Sequence, residues 1–175
     1  MEQESTSGDQ PAPPQHLPLE IELVPEPCWY SNMRKALTEA QWDKVRREVY
    51  AQYHHRCAIC GTDGQMNCHE IWSYDDDAHI QRLVGFTSLC SLCHHVKHIG
   101  LANILAGQGK LDYEEVVAHY MRVNHCTRED FTAHRAAAFA QWRVRGLYEW
   151  TTDLGEYTAT VEVNYARRQT RKATF

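Results

Sequence analysis

Two matched pairs of cysteines carry the most definite chemistry in this chain. Cys57 and Cys60, then Cys90 and Cys93, read C-x2-C, 29 residues, C-x2-C. Two residues between cysteines let both thiolates of one tight turn face the same ion. Two such turns complete a tetrahedron of soft ligands, the closed arrangement of structural Zn2+. With every position filled by protein, such a site stabilises the fold and leaves no opening for water or substrate. The remaining cysteines, Cys28, Cys68 and Cys126, are expected to be small buried residues.

The second group is histidine-rich. In Cys93-His94-His95-Val96-Lys97-His98, a helix would put His94 and His98 on one face, able to share an ion. His95 would lie about 100° away on the wheel and face elsewhere. Cys68-His69-Glu70-Ile71 falls on a strand that the four thiolates tie to this helix. An ion bound by His69 with His94 or His98 would keep positions open for water and phosphate. Lys97 is expected to be solvated, with steadying a phosphate as its sharper role.

The elements that must position these groups are legible. A helix over residues 39–54 opens with Thr38 and Gln41 as a capping box. Its apolar stripe runs through Ala40, Trp42, Val45, Val49, Tyr50 and Tyr53, with Arg46 and Arg47 off it. Strands are expected at 66–73 and 81–88, joined by an acidic turn at Asp75-Asp76-Asp77 that reads as a solvated tip with His79 beside it. A knuckle then runs into a helix over 90–104. Further helices are expected at 113–123, capped by Asp112, and at 128–146, after Thr127. A short strand is expected at 150–154. Residues 18–24 alternate apolar and acidic side chains, which reads as a strand with one covered face. The fold class is therefore α+β: a small treble-clef-like module of zinc knuckle, β-hairpin and helix, flanked by α-helices. Its domain spans 18–154. Residues 1–17, rich in Pro, Ser and acid, read as disordered, and 155–175 as a loose basic tail bearing Arg167, Arg168, Arg171 and Lys172.

The order C-x2-C, His-containing strand, then L-C-x2-C-H-x2-K-H resembles the four-cysteine branch of the HNH (ββα-metal) endonucleases, over residues 56–101. The resemblance implies a hairpin and a helix gripping one divalent ion, Mg2+ or Mn2+ or similar, against a nucleic-acid phosphodiester, with DNA the expected partner. It places His69 as the ligand ending the first strand, His94 as the helix ligand and His98 as the second helix ligand of some members. Two positions depart from the pattern. Glu70 stands where the general-base histidine belongs, and Gly85 stands at the motif's Asn. Glu70 has three readings: the base itself, a direct ligand, or a sign that the register shifts and His69 is the base. A regular strand would turn His69 and Glu70 to opposite faces. The alternative to catalysis is an inactive treble-clef module that binds nucleic acid or protein.

Bulk properties bound these readings. The chain has 175 residues, 43% apolar and 23% charged, with a net charge of -5; mean hydropathy is -0.59. That balance counts against a high-affinity binder held by phosphate neutralisation alone, although a bound ion supplies local positive charge. No apolar run reaches the ~20 residues of a membrane span. The acidic, Pro-rich start argues against a secretory signal, which points to a cytoplasmic location and to metal rather than disulfides at the cysteine pairs.

Overall fold

Thr38 opens the first long helix by a reciprocal exchange. Its Oγ1 accepts from Gln41 N at 3.3 Å, and Gln41 Oε1 accepts from Thr38 N at 2.9 Å. The computed structural model describes residues 17–28 and 32–172, and the N-terminal segment expected to be disordered lies outside the described residues up to position 16. A short helix α1 (Met33–Ala36) precedes this one, α2 (Glu39–Gln52). Val45 and Val49 of α2 are buried, Trp42, Tyr50 and Tyr53 half-buried, and Ala40 is exposed, so the expected stripe holds apart from its first member.

After the cysteine knuckle come β1 (Met66–Asp75) and β2 (Ile80–Cys90), an antiparallel pair in which His69 faces Thr87 and Met66 faces Cys90. The register shifts between Ile71 and Trp72, whose partners are Gly85 and Leu83. Val84 is left over and 60% exposed. Gly85 thus sits in the irregularity. A third strand, β3 (Thr151–Asp153), pairs in parallel with the start of β2 and completes a sheet ordered β1-β2-β3.

Helices cover this ribbon. The single helix expected over 90–104 is two, α3 (Ser91–Lys97) and α4 (Ile99–Gly107), bent at His98 with φ -102° and ψ 48°. The bonds His98 N to His94 O, 3.1 Å, and Ala102 N to His98 O, 3.0 Å, carry the chain across the bend. Helices α5 (Tyr113–Asn124) and α6 (Arg128–Arg145) follow within a residue of expectation, capped by Asp112 and by a Thr127–Asp130 capping box. The architecture is α+β, a knuckle, hairpin and helix flanked by helices. Its main core joins Leu89, Val96, Ile99, Val116, Val117, Tyr120 and Phe131. A second cluster gathers Met33, Leu37, Val45 and Val49.

Three expectations are corrected. Residues 18–24 form no strand, although their alternation is real, with Leu19 and Ile21 buried. The backbone finds its partners off any ladder: Leu19 N donates to Asn124 Oδ1 (3.0 Å), Ile21 N to His134 Nε2 (3.0 Å) and Glu22 N to Lys97 O (3.1 Å). Alternation reports a covered face and is silent about who supplies the hydrogen bonds. The tail after 155 is not loose. It forms α7 (Thr158–Lys172), with Val161 packed on the second cluster. Asn164, 3% exposed, donates to Ala36 O and Gln41 Oε1. The side chains of Arg167, Arg168, Arg171 and Lys172 lie outside the described residues.

The acidic tip is also less free than expected. Arg145 grips Asp76 with two bonds of 2.6 and 2.8 Å, and its guanidinium lies 4.2 Å above the Tyr74 ring. His79 stacks on Tyr148 at 4.2 Å. The Asp76 side chain is 54% exposed while that of Arg145 is 13% exposed. Water therefore screens the ion pair, and the packed face of the guanidinium carries much of the contact. Arg145→Ala is expected to lower stability by about 1 kcal/mol, read as a small fall in melting temperature with ion binding unchanged.

Candidate metal centres

The four thiols meet as their spacing requires. Cys57 and Cys60 sit in the turn after α2, where Gly61, at φ +71°, donates its N–H to Cys57 O at 3.0 Å. A left-handed φ there is what glycine permits. Cys90 ends β2 and caps α3, its Sγ accepting from Cys93 N. All four sulfurs lie within 4.8 Å of one another, with Cys60 and Cys90 Sγ at 3.6 Å. A tetrahedral ion with bonds of ~2.3 Å sets its sulfurs about 3.8 Å apart, so the cluster stands at metal-binding distances and its donor set fits zinc. The protons are unevenly held. Hydrogen bonds from Cys90 and Cys93 pull the Cys57 thiol far below its ordinary value; the contact with Cys57, then burial, pushes Cys90 up to about 11 against the contact with Cys93, and the contacts with Cys57 and Cys90 push Cys93 upward. A divalent ion bound there would favour the thiolate form of all four. None of the seven cysteines is in a disulfide.

His119 of α5 belongs to this centre and was not singled out from the sequence. Its Nδ1 lies 3.4 Å from Arg122 Nη2, a donor only, so Nε2 carries the proton and donates to Cys93 Sγ at 3.1 Å. The available signal was a polar residue on the buried stripe of Val116, Val117 and Tyr120.

The three histidines also converge. His69, 4% exposed on β1, meets His94 and His98, with ring centroids 5.4 and 4.9 Å away and 4.7 Å between the two helix rings. One nitrogen from each lies within 4.8 Å of the others. Burial, then the neighbouring imidazoles, lowers His94 to about 3 and His98 to about 4. Both rings are therefore neutral at pH 7, with lone pairs available. His69 Nδ1 is buried with no hydrogen-bond partner, and an ion shared with the helix rings would give this trio the partner it lacks. The donor set favours an ion that accepts imidazole, such as Zn2+, Ni2+ or Fe2+; Mg2+ asks for oxygens and fits it poorly.

The other residues singled out from the sequence divide. His95, its ring 6.4 Å from that of His94, stands outside the trio as its place on the wheel predicted. Glu70 is outside it too, its Oε1 accepting from Met33 N at 3.2 Å at the start of α1. Lys97 is neither solvated nor turned to a phosphate. It is 11% exposed and paired with Glu22, a residue to which sequence reasoning gave no role. Glu22 also reaches His69 Nε2, 3.4 Å from its Oε2. Burial works to raise the Glu22 carboxyl, but His69 and Lys97 together outweigh it and hold it below the usual range. Of the spare cysteines, Cys28 is buried, while Cys68 and Cys126 are half-buried. Burial, with Glu70 nearby, pushes Cys68 up to about 12, so it is no nucleophile at neutral pH.

The trio opens on a cleft of about 1270 Å³ whose wall includes Glu70, Trp42, Trp72 and the arginines 34, 46 and 135. Arg46 is tied to Asp43 at 2.6 Å. Among the described residues no helix is long and apolar enough to cross a membrane. Comparison with family models, with curated proteins and with solved structures found no match to this chain.

Proposed function

We propose that this chain is a metal-dependent endonuclease of the HNH type, hydrolysing nucleic-acid phosphodiester bonds with DNA as the expected substrate. One observation carries the reading: an imidazole from the hairpin and two from the bent helix converge in a cleft, beside a closed four-thiol clasp that fixes hairpin to helix. A divalent ion held by His69, His94 and His98 would stabilise charge on the scissile phosphate and the leaving oxygen. The donor chemistry supports a borderline transition ion there in preference to Mg2+.

The remaining steps fall to the protein's own groups. Glu70, fixed by Met33 N on the cleft wall, is the base for the attacking water. His69 is the less suitable base, because its two nitrogens are directed at Glu22 and toward the trio. The arginines of the cleft bind phosphate, and Trp42 and Trp72 offer flat faces to sugar and base. Such contacts read backbone more than sequence. A net charge of -5 then matters less than the local charge of ion and arginines.

A second reading, an inactive module that binds nucleic acid or protein, is favoured by the bond from Met33 N to Glu70, since that carboxylate also serves as a helix cap. Cleavage of plasmid and oligonucleotide substrates with Zn2+, Ni2+, Mn2+ and Mg2+ separates the two. Divalent-dependent scission, abolished by chelation, is expected; a folded protein inert with every ion would establish the second reading. Glu70→Gln keeps an oxygen for Met33 N and removes the base. Its kcat is expected to fall by about 10²- to 10⁴-fold with ion affinity unchanged. An unaltered kcat would leave Glu70 as a cap alone.

A further inference from the structure

The segment 17–25 is pinned on both sides of Glu22. Leu19 and Ile21 are 0% and 6% exposed, Asn124 makes two bonds to the Leu19 backbone, and Trp142 Nε1 donates to Val24 O at 3.0 Å. Glu22 N donates to Lys97 O, and the Lys97 ammonium holds Glu22 Oε1. The carboxylate is thereby held at Oε1 by Lys97, with Oε2 directed at His69 Nε2. A carboxylate only accepts, so Nε2 carries the ring proton and the lone pair is on Nδ1, the atom buried with no hydrogen-bond partner. Glu22 lies outside the group of atoms within 4.8 Å of one another.

We propose that Glu22 is a positioning residue of the three-histidine centre, selecting the tautomer of His69 with its proton on Nε2 and its lone pair on Nδ1, fixing its ring and adding a negative charge that tightens binding of a divalent ion. The proposal rests on the trio being an ion site, as the proposed function requires. It adds a component from a segment outside the cysteine–histidine motif. An outer carboxylate of this kind raises the basicity of the ligating imidazole and keeps it from rotating away, and removing one lowers metal affinity by about 10- to 100-fold.

The test is titration of Ni2+ or Co2+ into full-length protein already carrying zinc on its four cysteines, followed by calorimetry and by the visible absorption of bound Co2+. Wild type is expected to bind one additional ion, and Glu22→Gln to bind it 10- to 100-fold more weakly with zinc content unchanged. In a His69→Ala background the same change is expected to have no further effect, because Glu22 acts through that ring. Lys97→Met removes the cation that docks Glu22 but leaves the carboxylate, and is expected to bind the ion as tightly as wild type or more so. Equal affinity in wild type and Glu22→Gln overturns the proposal while leaving the ion site standing. Equal losses in Glu22→Gln and Lys97→Met overturn it in favour of mere docking of the segment. If wild type binds no additional ion, the proposal and the nuclease reading fall together.

Discussion

Cys93→Ser is expected to abolish the cooperative folding of residues 57–98, and removal of zinc by a chelator is expected to do the same to the unaltered chain. Cys93 is 0% exposed and sits in the main core with Leu89 and Val96, so an ion on the four cysteines would fasten the end of β2, the start of α3 and the knuckle at one point. Structural zinc contributes on the order of 10 kcal/mol in small fingers, and a whole domain is stable by only about 5–15 kcal/mol. The loss therefore equals most of the available margin. A hydroxyl is also a poor ligand where a thiolate stood, and its shorter bond draws the acceptor back from His119 Nε2–H. The measurement is thermal unfolding by circular dichroism alongside zinc content. A chelated wild type that keeps its cooperative transition within a few degrees would remove the zinc assignment.

His94→Ala is the complementary experiment, with the opposite pattern. It leaves the four-thiol clasp intact and removes a half-buried ring that is not part of the main core, so the fold is expected to survive. An ion at the trio would, however, keep two protein ligands in place of three. Its charge stabilisation is worth several kcal/mol in the transition state, and each ~1.4 kcal/mol is tenfold in rate, so cleavage is expected to fall on the order of 10³-fold or more. The check is single-turnover cleavage at saturating metal, beside a melting curve that matches wild type. Retained cleavage in a variant that no longer binds the additional ion would move the chemistry away from this cleft.

The two experiments separate the roles of two neighbouring clusters. One ties the knuckle and the end of β2 to the start of α3 through four cysteines. The other opens on a cleft and uses the placement the first provides. Cys90 and Cys93 lie beside His94, so the same turn of chain serves both.

What the sequence determined by itself was whatever depends on neighbours a few residues apart. The capping residues Thr38 and Thr127 placed their helices, the C-x2-C pairs defined their turns, and the spacing of His94 and His98 put two imidazoles on one side of a helix. The hairpin's length followed from the chain between the cysteine pairs, which also brought His69 opposite those rings. Glu70 was legible as the carboxylate next to His69 on β1, although its partner at Met33 was not.

The tertiary structure decided the interactions that join distant segments. Glu22 and His69 are 47 residues apart, Glu22 and Lys97 75 apart, and Asn164 reaches Ala36 across 128 positions. Periodicity could mark Leu19 and Ile21 as covered but could not say that α5 and α6 supply their backbone partners, or that Lys97 supplies that of Glu22. Nor could composition show that the tail docks as a helix on the second core, or that the chain bends at His98. Local propensity and ligand spacing act through fixed covalent geometry and can be read directly. A long-range partner is set by the packing of the whole chain, whose loop-closure entropy and buried surface no short window of sequence contains.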